Sequence, residues 1–346
     1  MPVLRMLKRK LPEAQVYWWI EASLAPLLEG DPDLSGLFIF NRKGWRRVGW
    51  WRDVWRTMRT VRSHRFDYVL DLQGLSRSAF FSWLANGKTT VGLDNDREGN
   101  REGAQIFYDV LAPPSAAGTP AAERYMNALS AVEAFPRQVS WDFEWLPATG
   151  TAAASVREWT MKVEGSGHTK WIMLLPGARW LNKRWPAVFF AQTVRRLAEA
   201  SPNSHFAILG VAGDTPLAES ICRENPERCL DLTGQTSLRE MIEWLRQADL
   251  VISNDTGPLH AAAALKRPAL AIYGPSDPLY TGPHNQAAGV LQAKHLPCVP
   301  CMKQTCAYHE PLACLHAITP EQVCARALAI LNAGSPTNST NQIQEA

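Results

Sequence analysis

The sequence predicts an α/β chain of two similar units, each a mostly parallel sheet covered by helices on both faces, with one linker between them. Three observations carry this. At 346 residues and 38.5 kDa, the chain holds about two domains at roughly 100–200 residues each. Apolar runs of strand length alternate with stretches of helical period. The alternation breaks between about 147 and 168, where Pro147, Gly150, a run of small residues and Gly165-Ser166-Gly167 read as a boundary. Such paired units bind ligands in the cleft between them, at the carboxyl ends of their strands.

In the first unit a helix over 2–11 sets Val3, Leu4, Leu7 and Leu11 on one face, and Pro12 ends it. A strand follows at Gln15–Ile20, a helix over 22–29 and a strand at Leu37–Phe40. Next come a basic helix over 50–64, a strand at Asp67–Leu72 left through Gln73-Gly74, a helix over 75–85 and a strand at Thr89–Gly92. An alanine-rich helix over 118–134 closes the unit. In the second unit the strands are Trp171–Leu175, His205–Leu209, Cys229–Leu232, Leu250–Ser253 and Ala269–Tyr273, with a sixth at Ala287–Gln292. Its helices are 186–200, 215–224, 237–247, 257–265 and 320–332, and a polar tail runs from Gly334 to Ala346.

Composition sets bounds. Apolar residues at 46% and charged residues at 20% exclude wholesale disorder. No apolar run approaches the ~18 residues of a membrane span, and the opening Met1–Lys10 does not read as a signal peptide. Seven cysteines, an odd number, are too few for a disulfide scaffold, so a reducing cytoplasm is expected. The net charge of +3 is unevenly spread: residues 42–65 hold nine Arg or Lys and one acid, Asp53. Trp45, Trp50, Trp51 and Trp55 stand beside those arginines. Such a segment suits a flat anionic surface, a nucleic acid, or a solvated face with tryptophans beneath.

The chemistry concentrates where strands run into helices. Val251–Asn254 leads into Asp255, Thr256, Gly257, Pro258, Leu259 and His260, then four alanines. Backbone N–H groups, a hydroxyl and a helix N-terminus at a strand end can hold a phosphate or diphosphate; the alternative is a plain helix cap with a packed His260. Pro176-Gly177-Ala178 through Lys183-Arg184-Trp185-Pro186 likewise links strand to helix. Lys183 or Arg184 there can neutralise a departing diphosphate, or the loop is simply solvated. Tyr273-Gly274-Pro275-Ser276-Asp277-Pro278 reads as a fixed turn, and Asp214, after the strand at 205–209, can accept from a hydroxyl. The first unit offers Gln73 and Arg77 after one strand and Arg97 and Arg101 after another, a pair suited to phosphates or carboxylates. Neither a Walker A loop nor a Gly-x-Gly-x-x-Gly fingerprint is present, which weakens NTPase and simple dehydrogenase readings. Cys298, Cys301, Cys306 and Cys314 are spaced for a structural zinc or for reduced, buried thiols.

On these residues the chain resembles glycosyltransferase family 9, the heptosyltransferases. Asn254–His260 with Tyr273–Pro278 is similar to that family's signature, and Pro176-Gly177-Ala178 with Lys183-Arg184-Trp185-Pro186 to its donor-phosphate loop. Leu232–Leu238, Asp71–Leu75 with Arg77-Ser78, and Gly92–Glu102 resemble further segments on the donor and acceptor sides. The resemblance implies a GT-B fold of two Rossmann-like domains: an acceptor domain over 1–155, a nucleotide-sugar domain over 165–333 and a flexible tail over 334–346. It implies inverting transfer of L-glycero-D-manno-heptose from ADP-heptose to the lipopolysaccharide inner core, with no metal or other cofactor in catalysis. Gly177, Ala178, Lys183, Asp214, Asp255, Thr256, Gly257, Pro258, Leu259 and His260 would meet the donor, with Lys183 stabilising the leaving group. Gln73, Arg77, Arg97 and Arg101 would face the phosphorylated lipid acceptor. The implied protein is a monomer that binds no nucleic acid and works in the cytoplasm, in peripheral contact with the inner membrane. Family members open with a strand and a loop ending Gly-Asp, whose Asp is the general base. Here the helix at Met1-Pro2 matches the helix next after that loop, so the strand and base are expected upstream of Met1, through a misassigned start, and a first domain lacking them should be less stable. The alternatives are a transferase of another nucleotide sugar and a sugar-nucleotide binder without a base.

Overall fold

The computed structural model describes residues 1–41, 50–94, 103–116, 119–132, 150–163 and 169–333. It divides into two compact units, Met1–Pro147 and Ala148–Ala346.

The first unit opens with α1 (Pro2–Lys10), β1 (Tyr17–Glu21) and β2 (Gly36–Phe40), then α2 (Trp50–Ser63) and β3 (Tyr68–Asp71). It continues through α3 (Ser76–Leu84), β4 (Thr89–Leu93), β5 (Val110–Ala112) and α4 (Ala121–Met126). All strand pairs are parallel, but they form two sheets, β1-β2 and β3-β4-β5, not the single expected one. One helical layer serves both: Met58 and Val61 of α2, with Ala85 after α3, pack against Trp19 and Phe38 from one sheet and Val69 from the other. On the opposite side Val3 and Met6 of α1 meet Met126, Leu129, Leu70 and Leu72. Arg5 fixes α1 further with a two-pronged ion pair to buried Asp31, at 2.6 and 2.7 Å, and a bond to Asp33.

Two expected helices are cut short. The stretch 22–29 keeps one 3-10 turn, Ala25–Leu27, because Pro26 brings no N–H to an α-helical ladder. The stretch 118–134 is α4 followed by tighter turns over Asn127–Ala131. There the Asn127 side chain donates to Pro113 O (3.1 Å) and Ser115 Oγ (2.8 Å), tying the chain to the end of β5. β5 itself is three residues long, too short to show a period in the sequence.

The second unit begins with α5 (Gly150–Val163), so the division falls ahead of the 155–165 stretch read from sequence. β6 (Lys170–Leu175), α6 (Ala187–Ala200), β7 (Ser204–Ile208), α7 (Thr215–Cys222), β8 (Cys229–Asp231) and α8 (Leu238–Gln247) follow. Then come β9 (Leu250–Asn254), α9 (Gly257–Ala264), β10 (Ala269–Tyr273), α10 (Pro278–Thr281), β11 (Val290–Gln292), α11 (Ala313–His316) and α12 (Pro320–Ala333). The six strands make one parallel sheet in the order β11-β10-β9-β6-β7-β8. β6, β9 and β10 are almost wholly buried, as strands covered on both faces must be. The core runs from Ile172, Leu174 and Ile252 to Phe190, Val194 and Leu197 of α6 and Val323 and Ala327 of α12. α8 starts from a reciprocal cap in which Ser237 Oγ accepts from Glu240 N and the Glu240 carboxylate accepts from Ser237 N. The chain winds outward from β6 through β7 to β8, then returns to β9 on the other side of β6. The order reverses between β6 and β9, and a ligand crevice belongs at the carboxyl ends of such a pair.

Candidate functional site

The two loops leaving β6 and β9 are joined at their roots by one buried amide. Asn254 Nδ2 donates to Pro176 O (2.8 Å), while its Oδ1 accepts from Trp185 N (3.1 Å). Trp185, fully buried, anchors the far side by donating Nε1 to Ile318 O (2.9 Å). A rigid scaffold therefore carries both loops, and their polar side chains converge.

Lys183, on the 3-10 turn Leu181–Lys183, places Nζ 2.6 Å from Asp255 Oδ2 and 4.6 Å from the centre of the Trp180 ring. Asp255 is buried, so its charge needs this partner. The next residue, Thr256, holds the N-cap position of α9, yet its side chain caps nothing. Its Oγ1 is buried without a hydrogen-bond partner, and such orphans call for an occupant. A Cβ built on Gly257 would meet no atom within 4 Å, so open space lies at the first turn of α9. His260 stands on the next turn. Its ring reaches solvent, but crowding by protein and the charge of Lys183 lower its pKa, against an upward pull from Asp255. The plain-cap alternative for 255–260 is not what forms; an uncapped helix end, a free hydroxyl and an ammonium face one opening.

The third strand-end loop, after β7, closes on the first. Buried Asp214 lies between Gly177 and Gly210: a Cβ on Gly177 would fall 2.3 Å from Asp214 Oδ2, and one on Gly210 3.0 Å from it. Oδ2 accepts from Val211 N (3.2 Å), and Arg184 Nη2 stands 3.4 Å from Oδ1. Arg184 is itself held by a bond from Nε to Ala178 O (2.9 Å). Gly234, at φ +70°, lets the neighbouring turn approach Ala212 at a distance no side chain allows. Tyr273, at the end of β10, is buried and donates to Thr281 O (2.6 Å). Burial, then the charge of Asp255, push its phenol well above the usual range. Gly177, Ala178, Lys183, Asp214 and Asp255–His260 all stand here, as their sequence positions predict. Asn254, Trp180 and the fastening role of Arg184 are additions, each visible in the sequence only as part of a motif.

In the first unit Asp71, at the end of β3, is buried and accepts from Gln73 N (2.8 Å), Gly74 N (3.3 Å) and Tyr108 Oη (2.8 Å). The turn, with Gly74 at φ +69°, leaves Gln73 and Arg77 exposed. Tyr108 is a further addition. Burial, then the charge of Asp71, raise its phenol, and its ring occupies the space a side chain at Gly92 would need. Arg97 and Arg101 lie outside the described residues.

The cysteines correct an expectation. Cys298, Cys301, Cys306 and Cys314 line one small cavity with Asn182 and Tyr308, and all are free thiols. Among the described residues no three His, Cys, Asp or Glu are placed to hold a metal ion, so the structure gives the expected zinc no site. Burial, then the three neighbouring sulfurs, push the Cys314 thiol up, and a protonated thiol is a poor ligand.

Comparison with known proteins agrees with the site. The family model described as glycosyltransferase family 9 (heptosyltransferase) matches residues 54–311. The chain is 27% identical to lipopolysaccharide heptosyltransferase 1 of Pseudomonas aeruginosa, over 96% of this chain and 93% of that protein. It is 25% identical to lipopolysaccharide heptosyltransferase 2 of Salmonella typhimurium, over 83% and 82%. Among solved structures, a family 9 glycosyltransferase from Veillonella parvula superposes with a TM-score of 0.79 at 20% identity, over 96% of this chain and 92% of that one. The E. coli ADP-heptose heptosyltransferase II gives 0.71 at 22%, over 96% and 94%. These likenesses establish the two-domain GT-B-like α/β fold.

Proposed function

The chain belongs to glycosyltransferase family 9, and from that membership and the converging loops of its second unit we propose that it transfers L-glycero-D-manno-heptose from ADP-heptose to the lipopolysaccharide inner core, with inversion. The supporting relatives are named as heptosyltransferases, and one solved relative is named for ADP-heptose. The observation that carries the reading is the orphaned Thr256 hydroxyl at the open N-terminus of α9, facing Lys183.

In this reading the donor diphosphate lies across the first turn of α9, taking N–H groups and the Thr256 hydroxyl, while Gly177, Ala178 and Asp214 line its nucleoside end. The acceptor hydroxyl attacks the anomeric carbon from the face opposite ADP. The carbon–oxygen bond to the diphosphate breaks, and the added negative charge falls on the oxygen nearest Lys183 and the helix end. Gln73 and Arg77 meet the phosphorylated lipid acceptor on the first unit. Removing a pre-placed donor aimed at developing charge costs about 10²–10³ in kcat, so Lys183→Gln is expected to lower turnover by about that factor.

The test is release of ADP from ADP-heptose with a heptose-deficient lipid A–Kdo or heptosyl acceptor, run beside a panel of UDP- and GDP-sugars. Preferential turnover of another donor would replace the heptose assignment. Calorimetric binding of ADP-heptose without transfer to either acceptor would make the chain a sugar-nucleotide binder.

A further inference from the structure

We infer that the outer layer of the first unit, formed by α2, α3 and the Ala104–Phe107 turn, is a docking surface for the anionic headgroup face of a lipid bilayer. The inference rests on this surface alone and not on the donor chemistry proposed above.

The two helices belong to one layer. Their inner sides share a cluster of Val54, Met58 and Val61 from α2 with Phe81, Leu84 and Ala85 from α3, so their outer sides face the same way. Those outer sides are unusually apolar for exposed helices. Trp51 is 58% exposed, Trp55 62%, Phe80 40% and Trp83 53%, and Ile106 on the adjoining turn is 78% exposed. The rings of Phe80, Trp83 and Phe107 gather within 5.6–6.1 Å of one another, a preformed apolar patch. Interleaved with the indoles is a single sign of charge. Arg52, Arg56, Arg59 and Arg62 of α2 are all exposed, against one acid on the helix, Asp53. The Arg52 guanidinium lies 5.2 Å from the Trp51 ring and that of Arg59 5.6 Å from the Trp55 ring.

Each feature has one place in a bilayer interface. Indoles settle at headgroup level with the ring body in the acyl boundary. Guanidinium groups extend to the lipid phosphates, and stacking on the indoles keeps them at that depth. Phe80 and Ile106 enter the boundary as apolar wedges. A single-stranded nucleic acid would use the arginines and indoles, but exposed Ile106 offers no π-face for a base. The charge selects an anionic surface and the apolar patch selects a lipid one.

The test is flotation of the full chain with vesicles of phosphatidylethanolamine, with and without phosphatidylglycerol. The chain is expected to float with the anionic vesicles only, and less as salt rises. At roughly fivefold per guanidinium, the combined Arg52→Gln, Arg56→Gln, Arg59→Gln variant should bind roughly a hundredfold more weakly. Trp51→Ala with Trp55→Ala, and separately Ile106→Ser, should weaken binding at every salt concentration, with the melting temperature unchanged because these side chains are exposed. The inference is overturned if the chain floats with neither vesicle, floats equally with both, or floats unchanged after these substitutions. It is equally overturned if the arginine substitutions abolish binding to an RNA oligonucleotide, or self-association in sedimentation, while vesicles are never bound.

Discussion

Gly177→Ala isolates the geometry of the nucleotide end of the crevice. The new Cβ would lie 2.3 Å from Asp214 Oδ2, 2.7 Å from Cγ and 2.9 Å from Oδ1. Ordinary carbon–oxygen contact begins about 1 Å further out. The carboxylate cannot retreat, because Gly210 stands on its other side, where a Cβ would lie 3.0 Å from Oδ2, and Val211 N and Arg184 hold it in place. Either the 176–178 loop lifts or Asp214 leaves its hydrogen bond. Overpacking of this kind costs about 1–3 kcal/mol. If the loop lifts, that cost emerges as a loss of about 5–100-fold in ADP affinity. If Asp214 yields, it emerges as a melting temperature lowered by roughly 2–4 °C per kcal/mol for a unit of this size. Calorimetric titration with ADP beside thermal unfolding separates the two. Gly213→Ala is the control, since a Cβ there meets nothing within 4 Å. An alanine at 177 with wild-type affinity and wild-type melting temperature would refute the clasp.

Three further outcomes rest on the same kinds of contact. Thr256→Val removes a hydroxyl that satisfies nothing in the empty protein, so stability should hold or rise while ADP binding weakens by about 1.5–3 kcal/mol, the worth of a hydrogen bond to a charged group; unchanged binding would remove Thr256 from the donor site. The pKa values of His260 and His205 are both lowered, chiefly by burial. The stability this gives is present above the ordinary histidine value of about 6.5 and is lost as pH falls through the folded values; urea unfolding of the His260→Gln, His205→Gln protein should show a flatter pH dependence below about 6.5 than wild type. Tyr108→Phe deletes the bond from the phenol to Asp71, which should cost about 1.5–3 kcal/mol in urea unfolding and raise the KM for acceptor more than that for ADP-heptose; equal rises would mean a general loss of fold.

The second unit is the more legible half. Its strands are buried on both faces and read as apolar runs, and each functional loop starts where a run ends, so periodicity alone places Lys183, Asp214 and Asp255–His260. Partners far apart in sequence are not legible. Tyr108 and Asp71 are 37 residues apart, and neither carries a pattern that names the other. Asn254 ties Pro176 to Trp185 across 78 and 69 residues, although its motif reads only as a phosphate turn. Helical period also overreaches at 22–29 and 118–134, where a proline and a side-chain amide decide the local backbone.

The ion pair in the crevice bears on how an empty site can be ready for a diphosphate. Asp255 has a side chain only 7% exposed and that of Lys183 is 18% exposed. Left alone, the carboxylate would carry a large desolvation cost, so the pair is what allows an acid to stand at the mouth of α9. By itself an acid there would repel an anion. But an ammonium has three donors, and one bond to Asp255 with the Trp180 ring beside it fixes where the other protons point. A phosphate oxygen can take one of them without breaking the pair. Asp255 then acts through Lys183: it sets the position of the cation, and the helix end and the Thr256 hydroxyl supply the rest of the field the diphosphate meets.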